Sequence, residues 1–264
     1  MMVLTLAFGL VYGLVVGSFL NVCIYRLPRN ESIVWPGSHC PKCSAPIRWY
    51  DNVPLVSFIL LGAKCRGCKA PIAWRYPLVE ALGGLSAFAA LAVWGFTPYG
   101  IMGMTLFFTA IVVTFIDIDH QIIPDEITLP GIIVGLAFSA AFPAWHGTTS
   151  HLRGLLEAFL GFLAGGGTLY LIGTVGEWVF KKEAMGGGDV KLLAALGAFL
   201  GWKRVLLSIF IASFFGAIVG LALRAATGEE RIPFGPYLML GAIVCLLWGG
   251  DLLSWYFSFL SIKY

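Results

Sequence analysis

Long apolar segments, separated by short polar ones, run along most of the chain. Eight of them reach or approach the length of a membrane span, at residues 3–22, 76–96, 101–116, 127–144, 155–180, 190–200, 205–223 and 234–259. Since a helix of about 20 residues crosses a bilayer, this pattern predicts an all-α polytopic membrane protein with about eight transmembrane helices. The segment 190–200 is too short to cross alone, so its helix must begin earlier, tilt, or be shielded at its start by neighbouring helices.

The composition agrees with a membrane protein and excludes an ordinary soluble domain. Hydrophobic residues make up 59% of the 264 residues and charged residues only 12%, whereas soluble domains carry about 25% charged residues. We therefore expect the lipid bilayer to be a partner of this chain and nucleic acid not to be one.

The basic residues predict how the chain is oriented. Lys and Arg are enriched in cytoplasmic loops, and the segment after the first apolar window carries eight of them: Arg26, Arg29, Lys42, Arg48, Lys64, Arg66, Lys69 and Arg75. Placing that segment in the cytoplasm puts five more there, Lys181, Lys182, Lys191, Arg224 and Arg231, and leaves four outside, Arg153, Lys203, Arg204 and Lys263. The first window has basic residues after it and none before it, the reverse of a signal peptide, so we expect a retained helix.

The segment 25–75 predicts a small zinc-binding unit. It contains Cys40-Pro-Lys-Cys43 and Cys65-Arg-Gly-Cys68, and two Cys-x2-Cys pairs at about this separation are typical of tetrathiolate zinc sites. Two disulfides or four buried thiols are the alternatives, and a reducing cytoplasm disfavours disulfides. A unit with so little core gains folding free energy from a structural zinc. We thus predict a first helix at 1–24, the zinc-binding unit at 25–75 and a membrane domain at 76–264.

Other features of the chain predict less. We detect no internal repeat and no low-complexity linker. Cys23, at a helix end, and Cys245, inside an apolar window, are interpreted as packing residues.

Three acidic residues, Asp117, Asp119 and Asp125, follow the third long apolar window. Carboxylates beside hydrocarbon are rare unless they line a protein or water-filled interior. Asp117 ends the window and is the deepest of the three, so it is the best candidate for function. Asp125 follows a proline and precedes the next helix, which favours an N-cap, and Asp119 with His120 is interpreted as interfacial.

A fourth acidic residue, Asp189, ends the sequence Gly186-Gly-Gly-Asp189. Gly186 and Gly188 lack side chains where another backbone would approach this carboxylate. An ordinary glycine turn with an aspartate N-cap is the alternative, because the motif is weak in a chain with 33 glycines. If Asp117 and Asp189 meet, they form an intramembrane acid pair that opens on the cytoplasmic face.

An ordered set of motifs covers nearly the whole chain. They are Gly17-Ser-Phe-Leu-Asn21, Arg26-Leu-Pro28, the two cysteine pairs, Asn52-Val-Pro-Leu-Val-Ser57, Arg75-Tyr-Pro-Leu-Val-Glu80, Ile116-Asp-Ile-Asp-His-Gln-Ile-Ile-Pro-Asp125, Met185-Gly-Gly-Gly-Asp-Val-Lys191 and Ile232-Pro-Phe-Gly-Pro-Tyr237. In this order they resemble the type IV prepilin peptidases, the bifunctional leader peptidases and N-methyltransferases of bacterial pilus and type II secretion systems. The resemblance implies that Asp117 and Asp189 are catalytic, that Gly186, Gly188 and Lys191 support them, and that the zinc ligands are Cys40, Cys43, Cys65 and Cys68.

The resemblance also implies a substrate and a location. The expected substrate is a prepilin or pseudopilin, whose basic leader is removed at the cytoplasmic face of the bacterial inner membrane. In an acid pair, one carboxylate activates water while its protonated partner hydrogen-bonds the scissile carbonyl, so the residues agree with this reaction. The expected methyl donor for the new N-terminus is S-adenosylmethionine, although no glycine-rich Rossmann loop marks a site for it.

Two residues bear on the methyl transfer. Glu80, in the first turns of the second long helix, is a candidate for binding the substrate amine; an interfacial glutamate paired with Arg75 or Lys64 is the alternative. Ala63 stands where the family usually has a glycine tied to methyl transfer. If the backbone at Ala63 is extended or helical, as we expect, the extra methyl group costs little; a positive φ there would strain the zinc loop by about 1 kcal/mol or more.

Two other functions stay open at this point. One is a peptidase that lacks methyl transfer, and the other is a non-enzymatic zinc-containing membrane scaffold or transporter. A transporter should show charged or broken helices at corresponding places in two related halves, and none is evident.

Overall fold

A computed structural model describes residues 2–181, 185–228 and 232–259. Three of the basic residues on which the predicted orientation depends, Lys182, Arg231 and Lys263, lie outside the described residues. The helices within this part of the chain are α1 (Met2–Arg26), α2 (Val56–Leu60), α3 (Arg75–Trp94), α4 (Pro98–His120), α5 (Asp125–Ala141), α6 (His151–Phe180), α7 (Gly187–Leu200), α8 (Trp202–Thr227) and α9 (Gly235–Phe259).

The prediction of an all-α polytopic membrane protein is confirmed, and each of the eight apolar windows corresponds to one long helix. In the described residues, six helices are long and apolar enough to cross a membrane: Met2–Arg29, Arg75–Trp94, Pro98–His120, His151–Val179, Trp202–Thr227 and Gly235–Phe259. The other two, α5 and α7, have 17 and 14 residues. Helix α7 begins before its apolar window, at Gly187, and is buried along residues 192–200, so it is surrounded by protein rather than by lipid.

The chain divides into two compact units, residues 1–116 and 117–264. In the first unit, α1 packs along α3. Close packing is possible because α1 carries three glycines about one helical turn apart, Gly9, Gly13 and Gly17. A Cβ added at Gly13 would lie 2.7 Å from the Ala87 Cβ, and one at Gly17 would lie 2.7 Å from the Glu80 Cα. Small residues let membrane helices approach closely. The Asn21 side chain then reaches across and donates a hydrogen bond to the Tyr76 carbonyl at 3.1 Å.

In the second unit, α7 packs against α5 and α6. Gly161 of α6 and Gly197 of α7 approach so closely that a Cβ on either one would overlap the other's backbone carbonyl. One turn further along, a Cβ at Gly166 would lie 2.9 Å from the Ala194 Cβ. This contact fixes the position of α7, and therefore of the residues at its start.

The expectation of no internal repeat is wrong. Residues 40–49, Cys-Pro-Lys-Cys-Ser-Ala-Pro-Ile-Arg-Trp, align with residues 65–74, Cys-Arg-Gly-Cys-Lys-Ala-Pro-Ile-Ala-Trp, at six of ten positions. Both copies fold alike: the first cysteine donates its N–H to the carbonyl of Ala45 or Ala70, at 2.9 and 2.8 Å. Matching β-bridges, His39 with Pro46 and Lys64 with Pro71, close the two loops. The cysteine-containing unit that the sequence predicts to bind zinc is thus built from a duplicated cysteine loop.

The expected backbone at Ala63 is also wrong. Its φ is +56°, in the left-handed region that disfavours residues with a Cβ. Gly62 before it has φ +60°, so two consecutive residues are left-handed where the chain enters the second cysteine loop. The methyl group of Ala63 therefore strains this turn by about 1 kcal/mol.

Candidate functional site

Asp117 lies in the last turn of α4 and is almost completely buried, at 5% exposure. Its Oδ2 accepts a hydrogen bond from the Gly235 N–H at 2.7 Å. Gly235 is the first residue of α9, and the unpaired N–H groups and dipole at a helix N-terminus favour a carboxylate. A Cβ at position 235 would lie 2.8 Å from the same oxygen, so the contact requires glycine.

Asp189 lies in the first turn of α7. Its carboxyl group is hydrogen-bonded by the Gly186 backbone and is close enough to Asp117 for the two charges to interact. The structure therefore brings together the two acids that the sequence analysis selected, although they are 72 residues apart in the chain. Two carboxyl groups in such a site repel each other when both are ionised, which favours a shared proton.

The three glycines before Asp189 have different surroundings. A Cβ at Gly186 would lie 3.1 Å from Asp189 Oδ2, and one at Gly188 would lie 3.1 Å from the Ile123 Cβ, whereas a Cβ at Gly187 would meet nothing within 4 Å. The first and third glycines thus allow the chain to fold onto the carboxylate and onto the loop after α4. This distinction matches the two glycines that the sequence analysis singled out.

Lys191 connects the two acidic motifs in another way. Its Nζ donates to both carboxylate oxygens of Asp125, at 2.7 and 2.8 Å. The interpretation of Asp125 as an N-cap is wrong: Pro124 is the N-cap and Asp125 is the first residue of α5, with its carboxylate turned to Lys191. Asp119 and His120 are exposed, as expected for interfacial residues.

The second candidate site is the cysteine cluster of the first unit. The sulfur atoms of Cys40, Cys43, Cys65 and Cys68 all lie within 4.8 Å of one another, and two of the separations are 3.8 and 4.0 Å. Four sulfurs about 2.3 Å from one zinc at tetrahedral angles lie about 3.8 Å apart, so the cluster matches a zinc site. All four are free thiols, which agrees with metal binding rather than with disulfides.

The remaining sequence candidates also lie in the first unit. Glu80 Oε2 accepts a hydrogen bond from the Leu55 N–H at 2.8 Å, and the same carboxyl group is hydrogen-bonded by Ser18. Cys23 is buried, with 8% exposure, in agreement with a packing role. In the second unit, Cys245 is completely buried.

Sequence reasoning missed Gly235. It noted Ile232-Pro-Phe-Gly-Pro-Tyr237 as a motif but assigned no role to it. A signal was present: a glycine followed by a proline at the start of an apolar window marks a helix N-terminus, where an anion is favoured. The sequence pattern does not show which aspartate would bind that helix N-terminus, Asp117, Asp119, Asp125 or Asp189.

Two family models match the chain. One describes the bacterial peptidase A24 N-terminal domain and matches residues 11–95, and the other describes the type IV leader peptidase family and matches residues 104–221. No solved structure matches the chain.

Curated relatives carry the name prepilin leader peptidase/N-methyltransferase. The protein of Pseudomonas aeruginosa is 37% identical over 281 residues, covering 95% of this chain and 93% of the relative. That of Neisseria gonorrhoeae is 37% identical and covers 86% and 85% of the two chains. That of Myxococcus xanthus is 44% identical over 84% of this chain, but the match covers only 64% of the relative.

Proposed function

This chain belongs to the type IV leader peptidase family, and we propose that it removes the leader from prepilins or pseudopilins and methylates the new N-terminus. The observation that carries the proposal is the meeting of Asp117 and Asp189 at the ends of α4 and α7. Supporting it, both family models match and the relatives carry both activities in their name.

Cleavage by the acid pair needs no covalent intermediate. With one proton shared between Asp117 and Asp189, the ionised carboxylate takes a proton from water, and the water oxygen attacks the scissile carbonyl. The protonated carboxyl group donates a hydrogen bond to the developing oxyanion, and its proton then goes to the leaving amine as the C–N bond breaks. The backbone N–H groups of Gly235 and Gly186 hold the two carboxyl groups in place during these steps.

We place the enzyme in the bacterial inner membrane, with both sites facing the cytoplasm. The eight basic residues between the first two apolar windows, 3–22 and 76–96, support this orientation. A prepilin would lie with its hydrophobic helix in the bilayer and its leader in the cytoplasm, which brings the cleavage point to the membrane surface. There the end of α4 presents Asp117.

We assign the cysteine cluster a structural zinc. Bound there by Cys40, Cys43, Cys65 and Cys68, the metal would hold the two halves of the duplicated loop together. Closed four-thiolate sites leave no open position for a substrate, so the metal would take no part in cleavage or methylation.

For the methylation we assign Glu80 and S-adenosylmethionine as methyl donor. The substrate ammonium must first lose a proton. S-adenosylmethionine, when bound, would supply an electrophilic methyl group on its sulfonium, which the neutral amine would accept, with the electron pair of the broken carbon–sulfur bond remaining on sulfur. A carboxylate near the reacting atoms stabilises the cationic groups and accepts the released proton before passing it to water.

The peptidase assignment is tested with purified enzyme and a prepilin, by measuring the mass of the product's N-terminus. Asp117→Asn and Asp189→Asn should each lower cleavage by about a thousandfold or more, because one carboxylate cannot serve as both acid and base. Asp119→Asn, on the same helix as Asp117 but exposed, is the matched control and should cleave normally. Near-normal cleavage by Asp117→Asn would refute the assignment.

The peptidase-only alternative is favoured by one observation, the left-handed backbone of Ala63. If that strain has disabled methyl transfer, the product will carry a cleaved but unmethylated N-terminus even with excess S-adenosylmethionine. Ala63→Gly, which relieves the strain, should then restore the methyl group. A product of the unmodified enzyme that gains the mass of one methyl group excludes this alternative.

A further inference from the structure

The first unit contains a cavity of about 680 Å³. The ends of α1 and α3 form one side of it, and α2 with the two cysteine loops forms the other. Ligand sites in proteins commonly measure about 300–1,000 Å³ and combine apolar walls with a few polar groups. Phe58, Tyr25 and Tyr76 are among the aromatic and apolar lining residues, and Glu80, Ser18 and Asn21 are among the polar ones.

Glu80 is the acidic group on the α1 and α3 side of this cavity. Two of its hydrogen bonds are internal to the protein, from the Leu55 N–H and from Ser18. A carboxylate accepts about four hydrogen bonds or ionic contacts, so these two leave capacity for a positively charged ligand. The Asn21 side chain, on α1, donates a hydrogen bond to the Tyr76 carbonyl of α3. This bond holds the two helices together on the side of the cavity that carries Glu80.

Leu55, whose N–H Glu80 binds, has an unusual backbone. Its φ of +60° and ψ of −44° are costly for a residue with a Cβ. Such strain persists where surrounding contacts impose it, and it is concentrated at binding and catalytic sites. Glu80 thus has two roles in the wall: it holds a strained loop in place and it presents a negative charge to the cavity.

We propose that this cavity binds S-adenosylmethionine, with the Glu80 carboxylate facing the sulfonium and the aromatic wall, including Phe58 and Tyr76, facing the adenine. The inference rests on the proposed methyltransferase activity and adds to it the location of the donor. A flat, partly apolar base and a cationic sulfur match an aromatic wall and a carboxylate. Residues of the duplicated cysteine loops also line the cavity, so a zinc ion bound by the four cysteines would stabilise the wall that the donor would contact.

Direct binding tests the location without depending on turnover. The zinc-loaded, full-length protein in detergent is equilibrated with S-adenosylhomocysteine, and the dissociation constant is measured for three proteins. Ala73→Trp places an indole in the cavity, since Ala73 lines it, and should weaken binding by about tenfold or more. Leu60→Trp adds the same group at a position that is 80% exposed and outside the lining, and should bind within about twofold of wild type.

The role of Glu80 is tested by comparing the sulfonium with its uncharged product. Glu80→Gln should weaken binding of S-adenosylmethionine by about tenfold and leave S-adenosylhomocysteine nearly unchanged, because only the first carries the positive charge. Equal effects on both ligands, or none on either, would show that Glu80 serves the Leu55 loop alone and would overturn its assignment to the sulfonium.

Zinc content and unfolding temperature show whether each variant is folded. If Ala73→Trp loses its zinc, ultraviolet crosslinking of labelled S-adenosylmethionine to the wild-type protein decides the location instead. Label in peptides from residues 18–26, 52–61 or 70–80 supports the cavity, and label elsewhere refutes it. Wild-type protein that neither binds the donor nor methylates would refute the methyltransferase function itself, whereas normal binding by Ala73→Trp would refute only the cavity.

Discussion

At the scale of single residues, the position of the Asp117 carboxylate depends on a glycine that meets it from another helix. The Gly235 N–H binds Asp117 Oδ2 at 2.7 Å, and the absence of a side chain at position 235 is what allows this approach. Around Asp189, Gly186 allows the same close approach to the carboxylate, and Gly188 allows the chain to lie against Ile123. The candidate peptidase site is therefore shaped as much by missing side chains as by the acids themselves.

Gly235→Ala should lower leader cleavage by about tenfold or more. The added Cβ would lie 2.8 Å from Asp117 Oδ2, so the carboxylate or the start of α9 must move, and displacements of this size are costly to catalysis. The measurement is kcat/KM on a prepilin. Gly187→Ala is the matched control, because its Cβ meets nothing within 4 Å. Equal losses in the two variants would contradict this account.

At the scale of helices, α7 carries Asp189 in its first turn, and its last turn is held in place by hydrogen bonds from α5 and the turn that follows α5. Ser139 of α5 donates a hydrogen bond to the Ala198 carbonyl at 3.1 Å, and Trp145 donates to the Phe199 carbonyl at 2.8 Å. His146 Nε2 lies 2.8 Å from Ser139 Oγ, and because the hydroxyl donates to Ala198, the histidine must donate to the hydroxyl. The turn after α5 and the glycine contact with α6 together set where Asp189 lies.

Gly161→Val should reduce both stability and cleavage. The new side chain would overlap the Gly197 backbone, and overpacking of this kind costs about 1–3 kcal/mol. Gly167→Val, on the same helix where a Cβ meets nothing within 4 Å, carries the same change in helix propensity and should be much milder. Unfolding temperature in detergent and the cleavage rate are measured for both. Comparable losses in the two variants would show that α6–α7 contact is not the cause.

His146 should make the protein less stable as the pH falls. Burial, with a smaller effect from the charge of Arg204, lowers its pKa to about 4, against about 6.5 in an unfolded chain. Between these values the unfolded state binds a proton that the folded state does not, so stability is complete above pH 6.5 and is lost towards pH 4.

The expected loss from His146 is up to about 2 kcal/mol between pH 7 and pH 5. Unfolding in denaturant at the two pH values measures it. His146→Gln keeps a donor to Ser139 without titrating, and should flatten the dependence. A pH dependence that is identical in this variant would assign the effect to other groups.

At the scale of the whole molecule, the chain carries its two candidate chemistries in different units. The acid pair belongs to residues 117–264, and the cysteine cluster, Glu80 and the cavity belong to residues 1–116. Each family model matches mainly one of the units. Loss of one chemistry is therefore expected to leave part of the other.

Removal of the zinc site should affect methylation more than cleavage. Elemental analysis should find about one zinc per chain, and Cys43→Ser should lower this content, since three thiolates hold the metal less tightly than four. Methylation should be lost with the metal, while cleavage falls less. Cys23→Ser changes a cysteine outside the cluster and should keep the zinc. A zinc-free wild-type protein with disulfides among these cysteines would contradict the site.

Patterns along the chain are enough to identify this molecule as a membrane protein and to select the residues that merit testing. Each of the eight apolar windows specifies a helix, because backbone groups surrounded by lipid or by apolar side chains must be hydrogen-bonded within their own segment. Acids are rare beside hydrocarbon, so Asp117 and Asp189 stood out without any structure, and the paired spacing of the cysteines pointed to one metal. These are local properties, and local properties can be read along the chain.

How those elements meet depends on packing between distant parts of the chain. Three contacts join residues far apart in the chain. The N-terminus of α9 donates a hydrogen bond to Asp117, the Leu55 N–H donates one to Glu80, and Lys191 binds the carboxylate of Asp125. The left-handed backbone at Ala63 was missed for the same reason: Ala63 lies where α2 ends and the chain turns into the second cysteine loop, and its N–H donates a hydrogen bond to the Phe58 carbonyl at 2.9 Å. Contacts between distant segments and the strain they enforce arise only when the chain packs, because packing, and not propensity, supplies the free energy that overrides the local preference.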